Sequence, residues 1–425
     1  FNDLATTEIY TLSLHDALPI FPWIYRYHCL GPDHRSMAPE YEMGGDLAGF
    51  AELSPLDTFV MKSPSESALC DLEGTCDARL GADQFATRLL LIASRTEQLA
   101  ANLDSVKGTN PELDCLSLDF RAQAELARYY AYKKRAAYHF ALYLETEDLA
   151  SASAARYWLG LSHQAWARMA ALNAGHYAPL VDQLRMHTPA FTWQKEGELL
   201  AGDSALLDDA VSDFMANLPA AELEPEFRST ILATALPATL PCSFSLTVGT
   251  QGEVSETTLN YQLRPAGEEP ATWGTRRMRS LDEFQKRAFS VDFSMPDLTG
   301  ELAWYFTCTV AGRQLRYPAE GEFKRPVTQD MTPPVITLDR TSRQSTSEGG
   351  KLVRLVVKVD DASKLAELVL AWKPLPSETA WHYAPLAQRD GAWVGEFPLT
   401  SEGAQWALRA TDEWGNACMW PDFEK

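Results

Sequence analysis

The chain of 425 residues lacks several features that would assign it to a well-defined class of protein. It has no stretch of about twenty consecutive apolar residues, the length that a membrane-spanning helix requires. It has no cluster of Lys and Arg, and its formal net charge is −21. A general nucleic-acid binder is therefore disfavoured, because phosphates must be neutralised by clustered cations. A small local basic patch would still suit an anionic polysaccharide.

Standard catalytic and cofactor-binding signatures are also missing. The chain has no Gly-rich phosphate loop before a helix, no G-x-S-x-G, no H-E-x-x-H and no paired Cys motif with zinc spacing. The sequence therefore predicts no cofactor and no metal site, and it leaves open whether the chain is an enzyme.

Carboxylates are the remaining candidates for catalytic chemistry. Glycoside hydrolysis uses two carboxyl groups placed across the scissile bond. Glu40, Glu42 and Asp57 are candidates for such a carboxyl-lined cleft. Because the chain has 58 acidic residues, neighbouring carboxylates are a weak signal.

The seven cysteines leave the redox compartment open. Cys242 and Cys308 each share a predicted strand face with apolar neighbours. This placement predicts either a disulfide between two sheets, which would require an oxidising compartment, or two buried thiols. Cys70 and Cys76 are a second candidate pair, which would close a short loop. The odd number leaves at least one thiol free or paired outside this set.

The periodicity of apolar residues changes along the chain. Apolar side chains at three- and four-residue steps predict four amphipathic helices with short connections, which make a bundle. After Pro219 the apolar residues alternate, which predicts two antiparallel β-sandwiches, the second with the size of an immunoglobulin-like domain. The predicted regions are a leader at 1–20, an irregular remnant of an upstream domain at 21–83, the helical bundle at 84–218, a linker at 219–241, a β-sandwich at 242–329 and an immunoglobulin-like β-sandwich at 330–425.

Two charged residues stand out in the predicted bundle. Lys133 interrupts the apolar stripe of the second helix. It either holds an acidic partner on a neighbouring helix or extends its ammonium group to solvent, and the pattern favours the second interpretation. Asp203 is predicted to be the N-cap of the fourth helix.

Tryptophan is the better lead to a binding site. Six of the twelve tryptophans follow residue 332. Sugar rings pack their C–H faces on aromatic rings, so an exposed Trp or Tyr is a candidate glycan contact. Trp381 and Tyr383 lie in a polar stretch near prolines, and Trp393 follows the turn Asp390-Gly391. These three residues are the candidate binding residues, although filling of a small core is the alternative.

Three segments resemble known sequences. Residues 1–20 resemble the translation of a sequencing adapter. We therefore expect the natural sequence to start near Phe21, at an internal point of a protein whose N-terminal portion is missing here. Residues 119–137 (DFRAQAELARYYAYKKRAA) resemble a helical segment that follows the catalytic barrel in large bacterial polysaccharide-degrading proteins. Residues 406–417 (WALRATDEWGNA), with Trp420-Pro421-Asp422, are similar to the closing strands of immunoglobulin-like modules in the same proteins.

These resemblances imply the C-terminal accessory region of a secreted bacterial glycoside hydrolase-like protein. Such a region would support a catalytic domain in the same chain and contact a glycan, in the extracellular space, the periplasm or at the cell surface. No nucleic acid and no membrane span is expected. Two alternatives remain: a non-enzymatic adhesion or structural protein with sandwich spacers, or residues 21–218 completing a hydrolase active site.

Overall fold

Helices precede sheets in this protein, as the sequence predicts. The computed structural model describes residues 47–52, 61–75, 79–106, 111–176, 193–232, 234–339, 343–347, 350–374, 381–399 and 403–421. None of the described helices is both long enough and apolar enough to cross a membrane.

The helical region consists of seven described helices around one core. The three long ones are adjacent in sequence, the middle one packs against the other two, and buried apolar side chains from all three share one core. Leu99 and Leu144, which the periodicity places on the apolar faces, are exposed. The helices are α1 (Leu47–Glu52), α2 (Pro64–Glu73), α3 (Ala82–Val106), α4 (Pro111–Thr146), α5 (Leu149–Asn173), α6 (Trp193–Leu199) and α7 (Ala201–Ala216).

The described part of the segment expected to be irregular holds two short helices, α1 and α2. Proline and glycine set the limits of α2 rather than prevent it. Ser63 caps its N-terminus by accepting a hydrogen bond from the backbone N–H of Glu66, and Pro64 occupies the first turn. Gly74 ends the helix in the left-handed conformation, with φ 71°. A proline at the start and a glycine just past the end are the usual arrangement.

The first two-sheet unit encloses the second large core. One sheet has the strand order β1-β3-β7-β6, and the other has the order β2-β10-β8-β4-β5 with β9 added to β8. Of the described strand pairs, β2 with β10 is parallel and the others are antiparallel. The strands are β1 (Glu226–Arg228), β2 (Leu236–Pro237), β3 (Pro241–Gly249), β4 (Val254–Pro265), β5 (Gly274–Arg277), β6 (Arg279–Ser280), β7 (Ala288–Ser294), β8 (Gly300–Val310), β9 (Arg313–Tyr317) and β10 (Phe323–Thr328).

Because β1 and β2 lie within residues 219–241, the segment predicted to be a linker contributes strands to both of these sheets. Aromatic side chains from the two sheets meet in the core, including Phe244 and Trp304, whose ring centroids are 5.2 Å apart. The alternating residues of β3 and β8 therefore face each other, as their period of two predicts.

The second two-sheet unit follows a short segment that contains Pro333 and Pro334. One of its sheets has the order β11-β13-β17-β16 with β12 added to β13, and the other has the order β15-β14-β18-β19. The strands are β11 (Val335–Leu338), β12 (Arg343–Ser347), β13 (Gly350–Asp360), β14 (Leu365–Pro374), β15 (His382–Ala384), β16 (Leu386–Arg389), β17 (Ala392–Leu399), β18 (Ala404–Asp412) and β19 (Ala417–Trp420).

A single buried carboxylate joins the helical region to the first two-sheet unit. Asp148 is fully buried at the N-cap of α5. Its Oδ1 accepts hydrogen bonds from the N–H of Ala150 (3.2 Å) and the hydroxyl of Thr247 (2.9 Å). Its Oδ2 accepts from the N–H of Thr230 (3.0 Å) and the hydroxyl of Ser245. One side chain thus bonds to a helix, to β3 and to the segment between β1 and β2.

Apolar contacts continue this joint. Phe284 and Ala288 of the first two-sheet unit belong to the core of the helical region. Arg156 of α5 forms an ion pair with Glu283 at 2.7 Å, and its guanidinium lies 5.6 Å from the ring centroid of Phe284. The two parts therefore share buried surface in addition to the Asp148 hydrogen bonds.

Replacing Asp148 tests this joint. Asp148→Ala removes the cap of α5 and leaves four donors without their acceptor, so we expect a loss of about 3–5 kcal/mol in the free energy of unfolding. Thermal unfolding followed separately by helical and aromatic circular dichroism should show the two transitions moving apart. Asp292→Ala is the matched control, because Asp292 is an exposed carboxylate that accepts one bond from Ser243. Equal stability of the two variants would contradict the role given to Asp148.

Candidate functional site

Exposed aromatic side chains form the first candidate site, on the outer face of the sheet that contains β14. Successive residues of a strand point to opposite faces. Leu370 and Trp372 face the core, whereas Ala371 lies on the outer face, where Trp381 packs on it. Tyr383 is opposite Ala371 in the register and is 63% exposed.

A cation completes this group. The ammonium Nζ of Lys373 lies 4.6 Å from the centroid of the Trp381 ring. We call Lys373, Trp381 and Tyr383 the Tyr383 surface. It combines an exposed phenol, a partly buried indole and a positive charge on one sheet face.

The third predicted binding residue lies elsewhere. Trp393 is opposite Val357 in the register of β13 and β17, and it packs against the core of the second two-sheet unit. The structure therefore brings Trp381 and Tyr383 together and places Trp393 among core side chains. Its position matches the alternative of core filling that the sequence left open.

A second aromatic group, which the sequence pattern did not single out, lies on the first two-sheet unit. Trp273 is 41% exposed, and its ring centroid is 5.1 Å from that of Tyr305. The guanidinium of Arg316 lies 4.1 Å from the Tyr305 ring centroid. We call these three residues the Trp273 surface. The sequence carries a signal for this exposed tryptophan, because Trp273 lies in a polar, proline-containing stretch as Trp381 does.

The candidate catalytic carboxylates Glu40, Glu42 and Asp57 lie outside the described residues, and so does Cys76. A groove between α3, α4 and α5 also carries carboxylates and has a volume of about 420 Å³. Its carboxylates are paired with arginines. Glu125 lies 2.7 Å from Arg128 and 2.9 Å from Arg168.

The charges in this groove stabilise one another. Burial alone would lower the pKa of Arg128, but its bonds to Glu97 and Glu125 raise that pKa above its ordinary value. Each of these carboxylates is correspondingly held by a guanidinium. The arrangement is a structural ion network that binds three helices together, with no unpaired acid for catalysis among the described lining residues.

The prediction that Lys133 extends to solvent is wrong. Its Nζ lies 2.9 Å from Oδ2 of Asp203, and the two side chains are 1% and 0% exposed. The rings of Phe50 and Tyr129 lie 5.3 and 5.8 Å from the ammonium. Lys133 therefore holds an acidic partner on another helix, which is the interpretation that the periodicity disfavoured.

Asp203 also differs from its prediction as an N-cap. Leu200 occupies the N-cap position, and Asp203 lies in the first turn of α7, where a negative charge is favoured by the helix dipole. His163 Nε2 is 4.0 Å from the same carboxylate. The buried pair ties α4, α7 and α1 together in the core.

A double-variant cycle measures this pair. Lys133→Met leaves Asp203 charged and buried without its partner, so we expect a loss of about 3–5 kcal/mol in the free energy of unfolding. Lys133→Met combined with Asp203→Leu should recover most of that loss, as measured by urea unfolding followed by helical circular dichroism. Arg313→Met is the control, since its exposed pair with Glu224 should contribute less than about 1 kcal/mol. A double variant as unstable as Lys133→Met alone would contradict this account.

Cys115, Cys242 and Cys308 are free thiols. Cys308 is buried and Cys242 is partly buried, with its sulfur directed to the carbonyl oxygen of Phe293 at 3.5 Å. Burial raises the pKa of each thiol to about 11. Cys70 is partly buried, and its candidate partner Cys76 is outside the described residues.

Thiol labelling checks these assignments. The thiolate is the reactive form, so a raised pKa lowers its fraction near pH 8. We expect maleimide to modify the exposed Cys115 in the folded protein and to leave Cys242 and Cys308 unmodified. After unfolding without reductant, peptides with Cys242 and Cys308 should be fully labelled in mass spectrometry. If these two peptides are labelled only after reduction, Cys242 and Cys308 form disulfides and their assignment as thiols is wrong.

Three aspartates from separate segments of the chain form an acidic cluster. Asp330 lies between β10 and β11, Asp361 in the turn after β13, and Asp412 at the end of β18. One carboxylate oxygen of each lies within 4.8 Å of an oxygen of the other two. Asp412 is buried, whereas Asp330 and Asp361 are partly buried.

Comparison with known proteins assigns this chain to no family. No family model matches the sequence, and no curated protein matches it. Among solved structures, the chain is similar to a GH138 enzyme targeting pectin rhamnogalacturonan II, with a TM-score of 0.30 and 14% identity. The similarity covers 36% of this chain and 24% of that chain, so it spans about a quarter of the enzyme. A TM-score this low does not establish a common fold.

Proposed function

We propose that this region is an accessory part of a secreted, carbohydrate-active protein of the glycoside hydrolase-like kind, and that it contacts glycan through aromatic side chains. The observation that carries the proposal is the exposure of aromatic rings on the outer faces of both two-sheet units. Exposed apolar residues are ordinary when single, whereas contiguous exposed apolar groups mark interaction sites.

The Tyr383 surface suits a sugar ring in its chemistry. The C–H face of a pyranose packs on an aromatic ring, and a phenol or indole supplies this area with little loss of conformational entropy. The ammonium of Lys373 beside the Trp381 ring would favour a sugar that carries a carboxylate. The Trp273 surface repeats the same combination with the guanidinium of Arg316. Both surfaces thus support a glycan, and an acidic glycan in particular.

The role of supporting a catalytic domain rests on the joints within the chain. Asp148 fixes the helical region to the first two-sheet unit, and Leu47 and Phe50 of α1 are buried in the helical core. A chain segment that precedes the predicted bundle is therefore packed into it. The paired sheets of the second unit support the proposal of an immunoglobulin-like module. The proposal of a bacterial, secreted origin rests on the sequence resemblance alone.

The rival from another class is an adhesion or structural protein in which the two-sheet units act as spacers. Units that act only as spacers need no glycan-binding aromatic surface. Binding of polysaccharide that depends on these side chains therefore separates the two functions.

Retention of the full chain in gels containing neutral or acidic polysaccharides tests the proposal. We expect retention on at least one glycan, and a loss of affinity of about tenfold or more when Trp381→Ala and Tyr383→Ala are combined. Trp273→Ala, tested separately, shows which surface binds.

Tyr157→Ala is the matched control, because Tyr157 on α5 is 62% exposed and belongs to neither surface. It should bind as the natural chain does. If no glycan retains the chain, or if none of these variants weakens retention, the spacer function is the better account.

A further inference from the structure

We propose that Asp330, Asp361 and Asp412 bind a calcium ion that fastens the segment between the two-sheet units to the second unit. The proposal is independent of any glycan. It starts from the positions of the three carboxylates, which are distant in sequence and whose oxygens lie within 4.8 Å of one another.

Two buried oxygens in this cluster have no hydrogen-bond partner. Oδ1 of Asp330 accepts from the N–H of Thr332, and Oδ1 of Asp361 accepts from the N–H of Ser363. Oδ2 of Asp330 and Oδ2 of Asp361 are shielded from solvent and accept nothing. A buried acceptor without a donor costs free energy, and a charged one costs more. These two atoms therefore indicate a missing ligand.

Asp412 is held in place by donors from its own unit. Its Oδ1 accepts from the N–H groups of Trp414 (2.9 Å) and Asn416 (2.8 Å). Its Oδ2 accepts from the hydroxyl of Ser363 (3.0 Å) and the side-chain amide of Asn416 (2.8 Å). The side chain is 2% exposed. This preorganised carboxylate forms the inner wall of the cluster.

No lysine, arginine or histidine among the described residues forms an ion pair with these three aspartates. Carboxylates this close repel one another when all are ionised. A bound cation would remove this repulsion and satisfy the two unpartnered oxygens at the same time.

The donor set selects the kind of cation. All the donors are carboxylate oxygens, which suit hard ions such as Ca²⁺ and Mg²⁺ rather than zinc or copper. Oxygens on opposite sides of a calcium ion are about 4.6 to 5.2 Å apart, given usual Ca–O distances. The spacing of the cluster fits within that shell, and waters or backbone carbonyls would complete the coordination.

The site would control the junction between the two-sheet units. The carbonyl oxygen of Asp330 accepts a hydrogen bond from the side-chain amide of Asn416 at 3.0 Å, which already ties the junction to the hairpin after β18. A calcium ion bound to Asp330 and Asp412 would add a second tie at the same place. The orientation of the second unit would then depend on calcium.

Calorimetry and thermal unfolding of the EDTA-treated full chain test the proposal. We expect one equivalent of Ca²⁺ to bind and to raise the Tm of the second two-sheet unit by about 5 °C or more. Asp361→Asn should weaken calcium binding by about tenfold or more. The amide oxygen of the new side chain can still accept from Ser363, so the turn is retained.

A second measurement compares the stability of Asp361→Asn with that of the natural chain, and a change in the sign of this difference on adding calcium is specific to a cation site. In EDTA, Asp361→Asn should be more stable than the natural chain, because one repelling charge is gone, and calcium should reverse this order. Asp360→Asn is the matched control, since Asp360 is an exposed neighbour outside the cluster. No calcium uptake, or equal uptake by the natural chain and Asp361→Asn, would overturn the site. Equal affinity for Mg²⁺ would overturn its assignment to calcium.

Discussion

The carboxylate of Asp148 is the constraint on which the arrangement of the larger half of the molecule depends. It caps α5 and at the same time accepts hydrogen bonds from Thr230, Ser245 and Thr247 of the first two-sheet unit. A buried charge without such donors would cost several kcal/mol, so the helix and the strands must remain docked for the side chain to stay satisfied. The apolar contact through Phe284 adds area to the same joint.

Strand alternation, independently of this joint, determines which side chains reach the surfaces of the sheets. Strand alternation sends Trp304 and Phe306 into the core and leaves Tyr305 outside, where Trp273 lies beside it. The same rule separates Trp372 from Ala371 and places Trp381 on the outer face. The second two-sheet unit has its own core, and the short segment that begins near Asp330 leads into it. That segment is where the acidic cluster lies.

Local pattern predicted the elements well and their contacts poorly. Burial on one face produces the steps of three and four residues in α3, α4 and α5 and the alternation in β3, β4, β8 and β18. The sequence therefore displays these patterns directly. The Lys133–Asp203 pair and the acidic cluster join residues that are far apart in sequence, and no spacing rule connects them.

Trp381 and Trp393 show the same limit. Both are tryptophans near turns, but Trp381 packs on the outer face of its sheet and Trp393 packs against the core. Prolines and glycines were a misleading signal near α2, where they set the limits of a helix instead of excluding one.

Native-state hydrogen exchange tests most directly whether the Asp148 joint makes one cooperative unit. The relevant amides are those of Ala150 and Thr230, which donate to Asp148, and that of Phe244 in β3, the strand that contributes Ser245 and Thr247 to the joint. If the helical region and the first two-sheet unit open together, these amides exchange with the same free energy and the same dependence on denaturant. Exchange of Ala150 through an opening of much lower free energy than that of Thr230 and Phe244 would show that the two parts separate independently, and it would contradict this account.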